Sequence, residues 1–455
     1  MKIPDIKTTP PGKKGRKIVQ KDKKYIATST KTSEVVAERA RGSLVWDVDG
    51  NLYVDFTSGV GVVNTGHCHP DIVKAISDQV NKLMHFAGTD FYYGIQATLA
   101  ERLTKVTPGK FPKKVFYTNS GTESVEAAIK VAKWNTKRGR FLAFIGAFHG
   151  RTMGALSFTA SKTKHQERFF PTMPGVTHVP YAYCYRCAYR QEYPSCGVWC
   201  ADVIEERYLN KFIPPNDVAA LFYEPVQGEG GYIVPPPEFP KKLAKLCKKH
   251  GILFVDDEVQ AGFGRTGKMF GIEHFDVVPD VVCVAKGMGS GIPVGAAIFD
   301  AKLDFGYKGA HSNTYGGNLL GCTAVNATLD VLEKEKLIGR AVKRGKHMRK
   351  RLDEMKEDNP IMGDNRGLGL MQATEFIRDE KTKAPAPELS EYIVHESFKK
   401  GLILLPCGES TVRYIPPLCI KEEILDDGLD VLEKVIKRAG KVKKKASGKS
   451  ASEAC

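Results

Sequence analysis

The sequence predicts an α/β fold built around a mostly parallel β-sheet. Short runs of β-branched and aromatic residues alternate with segments of helical length, which is the pattern of successive strand–helix–strand units. Each run is almost continuously apolar, as we expect for a strand that helices cover on both faces. The best strand candidates are KKVFYT (113–118), RFLAFI (140–145), VAALFY (218–223), GILFVD (251–256) and DVVCVA (280–285).

The strongest helix candidate, GTESVEAAIKVAKWNTKRG (121–139), directly follows the first of these strands. It has a favourable start and ends at a glycine. After about residue 325, charged helices and short apolar stretches indicate a smaller α+β domain. We therefore predict four segments: an N-terminal part that contributes to the small domain (1–60), a large domain (61–325), a C-terminal small domain (326–440) and a basic disordered tail (441–455).

The chain of 455 residues carries a formal net charge of +16, and most of this charge lies at its two ends. Residues 1–25 hold nine Lys and Arg against two Asp, and residues 441–455 hold five Lys against one Glu, which gives +7 and +4. Like-charge repulsion and the lack of apolar residues predict a solvated tail. Because no base-reading motif accompanies the charge, we do not expect specific nucleic-acid binding.

The sequence has no apolar run of about 18 residues and no N-terminal apolar stretch of signal-peptide length. We therefore expect no membrane segment and a cytoplasmic location. A chain of this length with 42% hydrophobic residues can bury a large core, so we expect a globular protein with two or three domains.

All five strand candidates are followed by glycines beside reactive or charged residues. These segments are NSGTES, GAFHGRT, EPVQGEGG, DEVQAGFGRTG and KGMGSG. In open α/β sheets, ligands bind at the carboxyl ends of the strands, because loops and helix N-termini converge there. One such segment alone would be an ordinary turn, helix cap or solvated lysine. Five of them at one sheet edge predict a single binding crevice.

The residues of this crevice match the chemical features of one ligand. Ser120, Gly121 and Thr122 open a helix directly after a strand, where backbone N–H groups and the helix dipole bind phosphate. Asp257 would point into the crevice at the end of its strand, and its carboxylate suits a protonated ring nitrogen.

Two further residues complete this set. Phe148 offers a flat face on which an aromatic ring can stack. Lys286 can attack an aldehyde, because apolar surroundings disfavour the charged form of its amine. A phosphate, a basic ring nitrogen, an aromatic plane and an aldehyde are the features of pyridoxal 5′-phosphate (PLP), so the sequence predicts a PLP site.

With these residues in place, the sequence resembles a known family, the class III PLP-dependent aminotransferases of fold type I. The likeness covers about residues 15–435 and rests on seven motifs in order. They are VWDVDGNLYVDFTSGVGVVNTGHCHP, NSGTESVEAAIKVAK, FHGRT, EPVQGEGG, DDEVQAGFGRTGKMFG, AKGMGSGIPVGA and TYGGNLLGC. The resemblance implies a large PLP-binding domain, a smaller α+β domain and transfer of an amino group from a small-molecule donor to a keto acid.

The resemblance also implies a role for each matching residue at the cofactor ring. Lys286 would form a Schiff base with PLP. Asp257, rather than Asp256, would pair with the pyridinium nitrogen, and Gln260 would lie beside the ring oxygen.

The phosphate contacts implied by the resemblance involve a second subunit. Gly121 and Thr122 would hold the phosphate together with Thr314, which the other subunit would supply. A cofactor site shared in this way implies at least a homodimer.

Four residues carry the substrate predictions, all of which rest on the resemblance. Arg413 would bind the α-carboxylate of glutamate or 2-oxoglutarate, and Glu224 would neutralise Arg413 when the amine donor has no carboxylate there. Arg151 would bind the distal carboxylate of an ω-amino acid such as 4-aminobutyrate. Val60 stands where ornithine aminotransferases carry a tyrosine, which counts against ornithine.

These residues place 4-aminobutyrate first and N-acetylornithine second among the amine donors. Some relatives of the family are racemases that use the same lysine and cofactor, and the motifs around Lys286 do not separate the two outcomes. The pair of Glu224 and Arg413 favours transamination. A third hypothesis, a non-catalytic metal-bearing scaffold, fits badly with an intact Lys286 and Asp257.

A cysteine-rich segment departs from the family pattern, in an insertion at about residues 181–201. It holds four of the eleven cysteines of the chain, spaced as C-x2-C followed by C-x3-C: Cys184, Cys187, Cys196 and Cys200. Such spacing suggests a structural zinc site or, as a weaker alternative, an iron–sulfur cluster. A loop with reduced thiols or one disulfide is the alternative without a metal.

Overall fold

The computed structural model describes residues 3–452, including the side chains of residues 3–441. The chain divides into two compact units. The first unit contains the residues up to His69 together with those from Arg340 onward, and the second unit contains the residues from Pro70 to Gly339. Each unit is described by itself below.

The secondary structure alternates strands and helices along the chain. The strands of the described residues are, in chain order, β1 (Ala37–Arg41), β2 (Leu44–Asp47), β3 (Leu52–Asp55), β4 (Lys113–Thr118), β5 (Arg140–Phe144), β6 (Val176–Val179), β7 (Val218–Tyr223), β8 (Leu253–Asp257), β9 (Val281–Val284), β10 (Gly295–Asp300), β11 (Met362–Leu368), β12 (Met371–Phe376), β13 (Leu402–Ile403), β14 (Leu405–Cys407) and β15 (Thr411–Tyr414). The α-helices are α1 (Lys13–Tyr25), α2 (Ser58–Gly61), α3 (Pro70–Val80), α4 (Gly94–Val106), α5 (Gly121–Thr136), α6 (Met153–Leu156), α7 (Trp199–Val203), α8 (Glu238–His250), α9 (Leu319–Lys334), α10 (Leu337–Glu357), α11 (Pro387–Lys399) and α12 (Glu422–Ser452).

The second unit is built on a seven-stranded sheet with the order β4-β10-β9-β8-β7-β5-β6. Neighbouring strands from β9 to β6 in this order pair in parallel. Strand β10 runs antiparallel between β4 and β9, so β4 and β9 point in the same direction. This mostly parallel sheet confirms the predicted α/β fold.

The five predicted strands correspond to β4, β5, β7, β8 and β9, with bounds that agree within two residues. The structure adds β6 and β10, which the sequence analysis missed. Strand β6 has only four residues, and β10 reads GAAIFD, in which glycine and alanine have weak strand preferences. Strand β6, VTHV, is β-branched but too short to stand out, and β10 is not a β-branched or aromatic run.

Helix α5 packs on this sheet, and its apolar face supplies much of the core. Val125 and Ala128 on the helix are fully buried together with Phe141, Phe222 and Val255 from the sheet. The end of the helix differs from the prediction of a glycine stop. The left-handed residue that follows Thr136 is Lys137, and the helix therefore ends before the glycine of the predicted segment is reached.

The first unit contains two four-stranded sheets, with the orders β1-β2-β3-β13 and β11-β12-β15-β14. Strand β13 pairs in parallel with β3, although the two are about 350 residues apart in the sequence. Helices α11 and α12 pack against each other beside these strands. The unit therefore has the α+β character that the sequence predicts for the smaller domain.

The boundaries of the units differ from the predicted domain limits. The predicted large domain ends at residue 325, within α9, whereas the second unit includes the whole of that helix. Helix α9 packs against α3 and α4. Arg102 on α4 pairs with Asp330 on α9 over 2.7 Å, so the helix belongs with the second unit.

The predicted disordered tail, residues 441–455, overlaps the last helix. The backbone of α12 continues to Ser452, because this lysine- and alanine-rich segment contains no proline to break the helix. The remaining residues of the predicted tail, 453–455, lie outside the described residues.

None of the helices in the described part of the chain is both long enough and apolar enough to cross a membrane.

Candidate active site

The candidate site lies at the carboxyl edge of the sheet in the second unit. Ser120 follows β4, Phe148 follows β5, Glu224 follows β7, and Asp257 is the last residue of β8. Lys286 follows β9 after one residue. Since these strands point in the same direction, their ends bring residues that are distant in sequence to one edge.

A buried hydrogen-bonded pair lies at this edge. The Nδ1 atom of His149 lies 2.7 Å from Oδ2 of Asp257, and both side chains are almost fully buried. The carboxylate can only accept, so Nδ1 carries the proton. The backbone N–H of Val259 donates to Oδ1 of Asp257 over 3.0 Å. Two donors therefore fix the orientation of Asp257.

His149 is the functional residue that the sequence analysis missed. It stands beside Phe148 in the FHGRT motif, and this position after a strand is the sequence signal that points to it. Its partner, however, is 108 residues away in the sequence, and no local pattern reports such a contact. Burial by itself lowers the pKa of His149, but the hydrogen bond and the charge of Asp257 outweigh it, so the pKa is raised. A protonated imidazole is the form that best holds the Asp257 carboxylate.

Glu224 is a second buried carboxyl group at the same edge. It accepts hydrogen bonds from the backbone N–H of Phe148 over 3.0 Å and of Gly228 over 3.1 Å. Burial raises the pKa of Glu224 to about 7, although the charge of His149 and these two hydrogen bonds oppose the rise. Glu224 therefore joins the end of β7 to the end of β5 and changes protonation near neutral pH.

Asp256 and Asp257 point to opposite faces of the sheet, because side chains alternate along a strand. Asp256 is fully buried on the face that it shares with Glu258. Burial raises the pKa of both groups. The charges of Glu258 and Asp257 add to the rise for Asp256, whereas the pKa of Glu258 reaches about 7 although its hydrogen bonds oppose the rise. Only Asp257 pairs with His149, which agrees with the predicted distinction between the two aspartates.

The start of α5 forms the predicted phosphate loop. The Ser120 side chain caps the helix and accepts a backbone hydrogen bond from its first turn over 3.3 Å. Gly121 lies against Val259, since a β-carbon at Gly121 would come within 2.6 Å of Cγ1 of that residue. The hydroxyl of Thr122 lies 2.9 Å from the hydroxyl of Thr152. These contacts bring the N-terminus of α5 beside the segments that follow β8 and β5.

Lys286 begins a short 3₁₀ turn, Lys286–Met288, and its side chain is partly buried. Its backbone φ of +47° lies in the left-handed region, which residues with a β-carbon rarely adopt. Such a conformation persists only where the surrounding structure fixes it, and it is frequent at functional sites. The preceding strand is held in place by a hydrogen bond of 3.0 Å from the Ser124 hydroxyl to the Val284 carbonyl.

Gln260 lies three residues after Asp257 and is packed beside Gly228. Its Oε1 atom is buried, and among the described residues it has no hydrogen-bond partner. A β-carbon at Gly228 would lie only 3.0 Å from this atom, so the lack of a side chain at Gly228 provides space for the Gln260 amide. A buried amide without a partner is costly unless a ligand or water completes it.

Phe148 and Arg151 contact each other after β5. The guanidinium carbon of Arg151 lies 5.6 Å from the centroid of the Phe148 ring. The Phe148 ring also meets His165 edge to face, with 5.6 Å between ring centroids. Arg151 is exposed, and no carboxylate in the described part of the chain forms an ion pair with it. Its charge is therefore available to an anion from solution.

Three predicted residues belong to other segments of the chain. Val60, which is exposed, and Arg413, which is buried on β15, belong to the first unit. Thr314 is exposed in the loop before α9, where the neighbouring Asn313 donates to the backbone oxygen of Tyr117 over 2.9 Å. The roles of these three residues stay predictions.

The four cysteines of the insertion come together in the second unit. They line one small cavity of about 20 Å³. All four are free thiols, and no three of their sulfur atoms lie within 4.8 Å of one another. The predicted metal site therefore stays a prediction, to which we return below.

The residues at the sheet edge fit PLP. The helix N-terminus at Gly121 and Thr122 would hold the phosphate, and Asp257 would hold the ring nitrogen. The amide of Gln260 would donate an N–H to the ring oxygen. Lys286 would supply the amine that binds the aldehyde.

Comparison with known proteins identifies the family. A sequence profile of the family Aminotransferase class-III matches residues 25–436. The probable 4-aminobutyrate aminotransferase of Bacillus subtilis is 38% identical over 404 residues, which cover 88% of this chain and 92% of that protein. The alanine/serine racemase of Pyrococcus horikoshii is 36% identical over 455 residues, which cover 98% of this chain and 95% of that protein.

The solved structures lead to the same family. The crystal structure of an amine transaminase from an uncultivated Pseudomonas species, in its PLP-bound form, matches with a TM-score of 0.83 and 30% identity. This match covers 91% of the present chain and 98% of the other. The chain therefore belongs to the class III aminotransferases, the fold type I family of PLP-dependent transaminases.

Proposed function

We propose that this protein transfers the amino group of an ω-amino acid, first of all 4-aminobutyrate, to 2-oxoglutarate. The observation that carries the proposal is the exposed guanidinium of Arg151 beside Phe148, which pairs with no carboxylate of the described residues. A guanidinium binds a carboxylate through two parallel hydrogen bonds, so it suits the distal carboxylate of such a donor. The similarity to the Bacillus subtilis relative supports the same choice.

The proposed chemistry assigns one task to each residue of the sheet edge. PLP, when bound, supplies the aldehyde that accepts the amino group and a ring that takes up the electron pair left on the substrate carbon. Lys286 Nζ would remove the proton from the amino-bearing carbon of the substrate and would deliver it to the former aldehyde carbon of PLP. Asp257 holds a proton on the ring nitrogen, and His149 keeps the Asp257 carboxylate oriented.

A keto acid must bind in the second half of the reaction. We assign the α-carboxylate of glutamate and 2-oxoglutarate to Arg413, as the resemblance to the family implies. Glu224, whose pKa lies near 7, keeps the role of balancing charge when the donor has no carboxylate at that position. Val60, which stands where ornithine aminotransferases carry a tyrosine, makes ornithine a less favoured amine donor.

The first test is the visible absorption of the purified, PLP-loaded protein before and after 4-aminobutyrate is added without a keto acid. We expect the band of lysine-bound PLP to fall and to recover when 2-oxoglutarate is added. A band that is present but unmoved would exclude 4-aminobutyrate as donor. N-acetylornithine and single L-amino acids would then be tested in the same way.

A variant of Arg151 tests the carboxylate assignment separately. Arg151→Gln should raise KM for 4-aminobutyrate by about tenfold to 100-fold, because a charge-assisted hydrogen-bonding pair is lost. The matched substrate is n-butylamine, which has no carboxylate, and its kcat/KM should stay unchanged. Equal losses with both amines would show that Arg151 does not bind the carboxylate.

Amino-acid racemisation is a second candidate function, and one observation favours it. The Pyrococcus horikoshii racemase aligns with 98% of this chain, whereas the Bacillus subtilis aminotransferase aligns with 88%. A racemase returns the proton to the same substrate carbon and needs no keto acid. Incubation of the loaded enzyme with L-alanine or L-serine alone, followed by chiral chromatography, separates the two functions. Continuous formation of the D-enantiomer would establish racemisation, and its absence would leave transamination.

A further inference from the structure

The cysteine-rich insertion between β6 and β7 is not used by the proposed chemistry. It is a long segment of mostly turns and short helical pieces, and the structure brings its four cysteines to one place. Cys184 begins a 3₁₀ turn with Cys187 just after it, Cys196 lies in a later turn, and Cys200 lies in the first turn of α7. Irregular segments of this length within a compact unit usually have a specific stabilising feature or a function.

The four thiols surround one cavity. Among the described residues that line it, there is no histidine, carboxylate or basic side chain. The other lining residues include Tyr189 and Tyr193. A cavity whose strongest ligands are four sulfur atoms suits a soft or borderline metal ion rather than a hard one.

The four thiols are neighbours, because all of them line the same cavity. Four thiolates in one cavity would repel one another, and a bound cation neutralises this charge.

The size of the cavity decides between the possible metal groups. Its volume is about 20 Å³, and a single water-sized sphere needs about 10–15 Å³. There is therefore room for one ion, whereas an iron–sulfur cluster with several iron and sulfide atoms needs several times this space.

The sulfur atoms must come closer together before they can bind one zinc ion. No three of the sulfur atoms lie within 4.8 Å of one another, whereas tetrahedral zinc with bonds of about 2.3 Å places its sulfur ligands about 3.8 Å apart. The segment between the two cysteine pairs consists of turns, such as the one closed by the hydrogen bond from the backbone N–H of Arg190 to the Cys187 carbonyl over 3.0 Å. Turns of this kind can contract without disrupting the strands on either side.

We propose that Cys184, Cys187, Cys196 and Cys200 bind one zinc ion, as a structural site that holds the insertion together. Four thiolates fill the tetrahedral positions of the ion, so no site remains for water or substrate, as is typical of structural zinc. Each thiol releases its proton to solvent on binding, and no oxidation or reduction takes place. This site goes beyond the aminotransferase function and is independent of it.

The experiment measures the metal content of the full-length, PLP-loaded protein after extensive dialysis against a metal-free buffer. Inductively coupled plasma mass spectrometry should find about one zinc per chain in the unmodified protein. Cys184→Ser and Cys200→Ser should retain less than about a tenth of it, because loss of one thiolate opens the site. The matched control is Cys68→Ser, which changes an exposed free thiol of the first unit and should keep the zinc.

A second measurement covers the case in which the serine variants do not fold. Titration of the unmodified protein with a mercurial reagent, followed by a zinc-binding dye, should release about one zinc per chain. An unmodified protein without zinc, or one with iron and acid-labile sulfide, would overturn the proposal. Full zinc content in folded Cys184→Ser and Cys200→Ser would overturn it as well.

Discussion

The side chains of Asp257 and His149 form the best-defined pair at the candidate site. A buried carboxylate is costly unless it is paired and hydrogen-bonded, and Asp257 meets both conditions through His149 and the backbone N–H of Val259. His149 does not need to contact a substrate or cofactor to matter. It is a positioning residue, because it sets the orientation and charge of the carboxylate that would face the cofactor ring.

Two substitutions of His149 test this positioning role. His149→Leu removes the donor to Asp257, and we expect kcat to fall by about tenfold to 100-fold, as for the loss of a charged hydrogen bond. His149→Asn places an amide N–H near the position of Nδ1 and should recover most of this loss. The visible spectrum of bound PLP should also change its pH dependence in His149→Leu and not in His149→Asn.

The outcome that would contradict this role is equally clear. If both variants lose the same activity and keep the pH dependence of the unmodified protein, His149 contributes only to packing. Thermal unfolding of both variants serves as the control for folding.

At the scale of the element, three consecutive acidic residues lie at the end of strand β8: Asp256 and Asp257 are its last residues, and Glu258 follows it. All three are buried. Glu258 accepts a hydrogen bond from the backbone N–H of Ile272 over 2.7 Å, but burial still raises its pKa to about 7. The ordinary value of 4.5 applies to the unfolded chain. The folded state therefore binds an additional proton at pH values between these two, and stability falls as the pH rises through this range.

Glu258→Gln tests the electrostatic cost of this strand end. The amide keeps an acceptor for Ile272 but removes a group that must ionise. From about pH 5 to about pH 8, the free energy of unfolding should decrease less in the variant than in the unmodified protein, by roughly 1–2 kcal/mol. Urea unfolding at several pH values measures this difference. Glu206→Gln, at an exposed position, is the control, and an identical slope in all three proteins would refute the explanation.

The N-terminus of α5 is the second element on which the site depends. Gly121 has no side chain, and this allows the first turn of the helix to approach Val259 after β8. Its role is thus to provide space for a close contact between two elements. If the same turn binds the phosphate, a displacement of the helix start should weaken PLP binding more than it lowers the stability of the fold.

Substitution of Gly121 by alanine tests this arrangement. The added β-carbon would lie 2.6 Å from Cγ1 of Val259, so one of the two segments must move. We expect the Kd for PLP to rise by about tenfold to 100-fold, which corresponds to the usual cost of overpacking. Gly139→Ala is the matched control, because a β-carbon there meets nothing within 4 Å.

A double variant separates steric crowding from other effects. Gly121→Ala combined with Val259→Ala removes the methyl group that causes the contact and should restore PLP binding. If the double variant binds PLP as poorly as Gly121→Ala, the contact with Val259 is not the cause.

At the scale of the whole molecule, the second unit exposes several large apolar side chains. They lie in the segment after α3 and include Leu83, Met84, Phe86, Phe91 and Tyr92. Contiguous exposed apolar side chains of this kind usually contact another chain. This supports the expectation of a homodimer, in which Thr314 would reach the phosphate of the other subunit.

Co-expression of two inactive variants tests whether Thr314 acts across subunits. Lys286→Ala removes the amine, and Thr314→Asp places a negative charge where the phosphate is expected. Each homodimer should be inactive, while a heterodimer regains one intact site if Thr314 belongs to the partner's site. About a quarter of the unmodified activity is then expected from a random mixture.

The result is decisive in both directions. If Thr314 serves the site of its own chain, every heterodimer contains only damaged sites and the mixture stays inactive. Light scattering coupled to size-exclusion chromatography measures the mass, which should be at least twice that of one chain.

The strands and the chemical identity of most site residues follow from the sequence alone. Strands β5, β7, β8 and β9 are mostly apolar runs, and their residues are almost all buried. Strand β4 begins with two lysines and is only partly buried, because it lies at the edge of the sheet. The predictions for the phosphate and for Lys286 come from short motifs directly after a strand, and the structure places both motifs at the carboxyl edge of the sheet. The seven motifs in order then indicate the family, and the comparisons confirm it.

Only the tertiary structure decided the contacts between residues that are distant in the chain. His149 pairs with Asp257 across 108 residues, β10 inserts antiparallel between β4 and β9, and α9 joins the second unit through its packing on α3 and α4. The four cysteines likewise surround a cavity whose size favours one ion over a cluster. Local sequence patterns reflect burial and backbone preference, whereas the choice of partner depends on how the sheet is ordered, and that order exists only after the chain has folded.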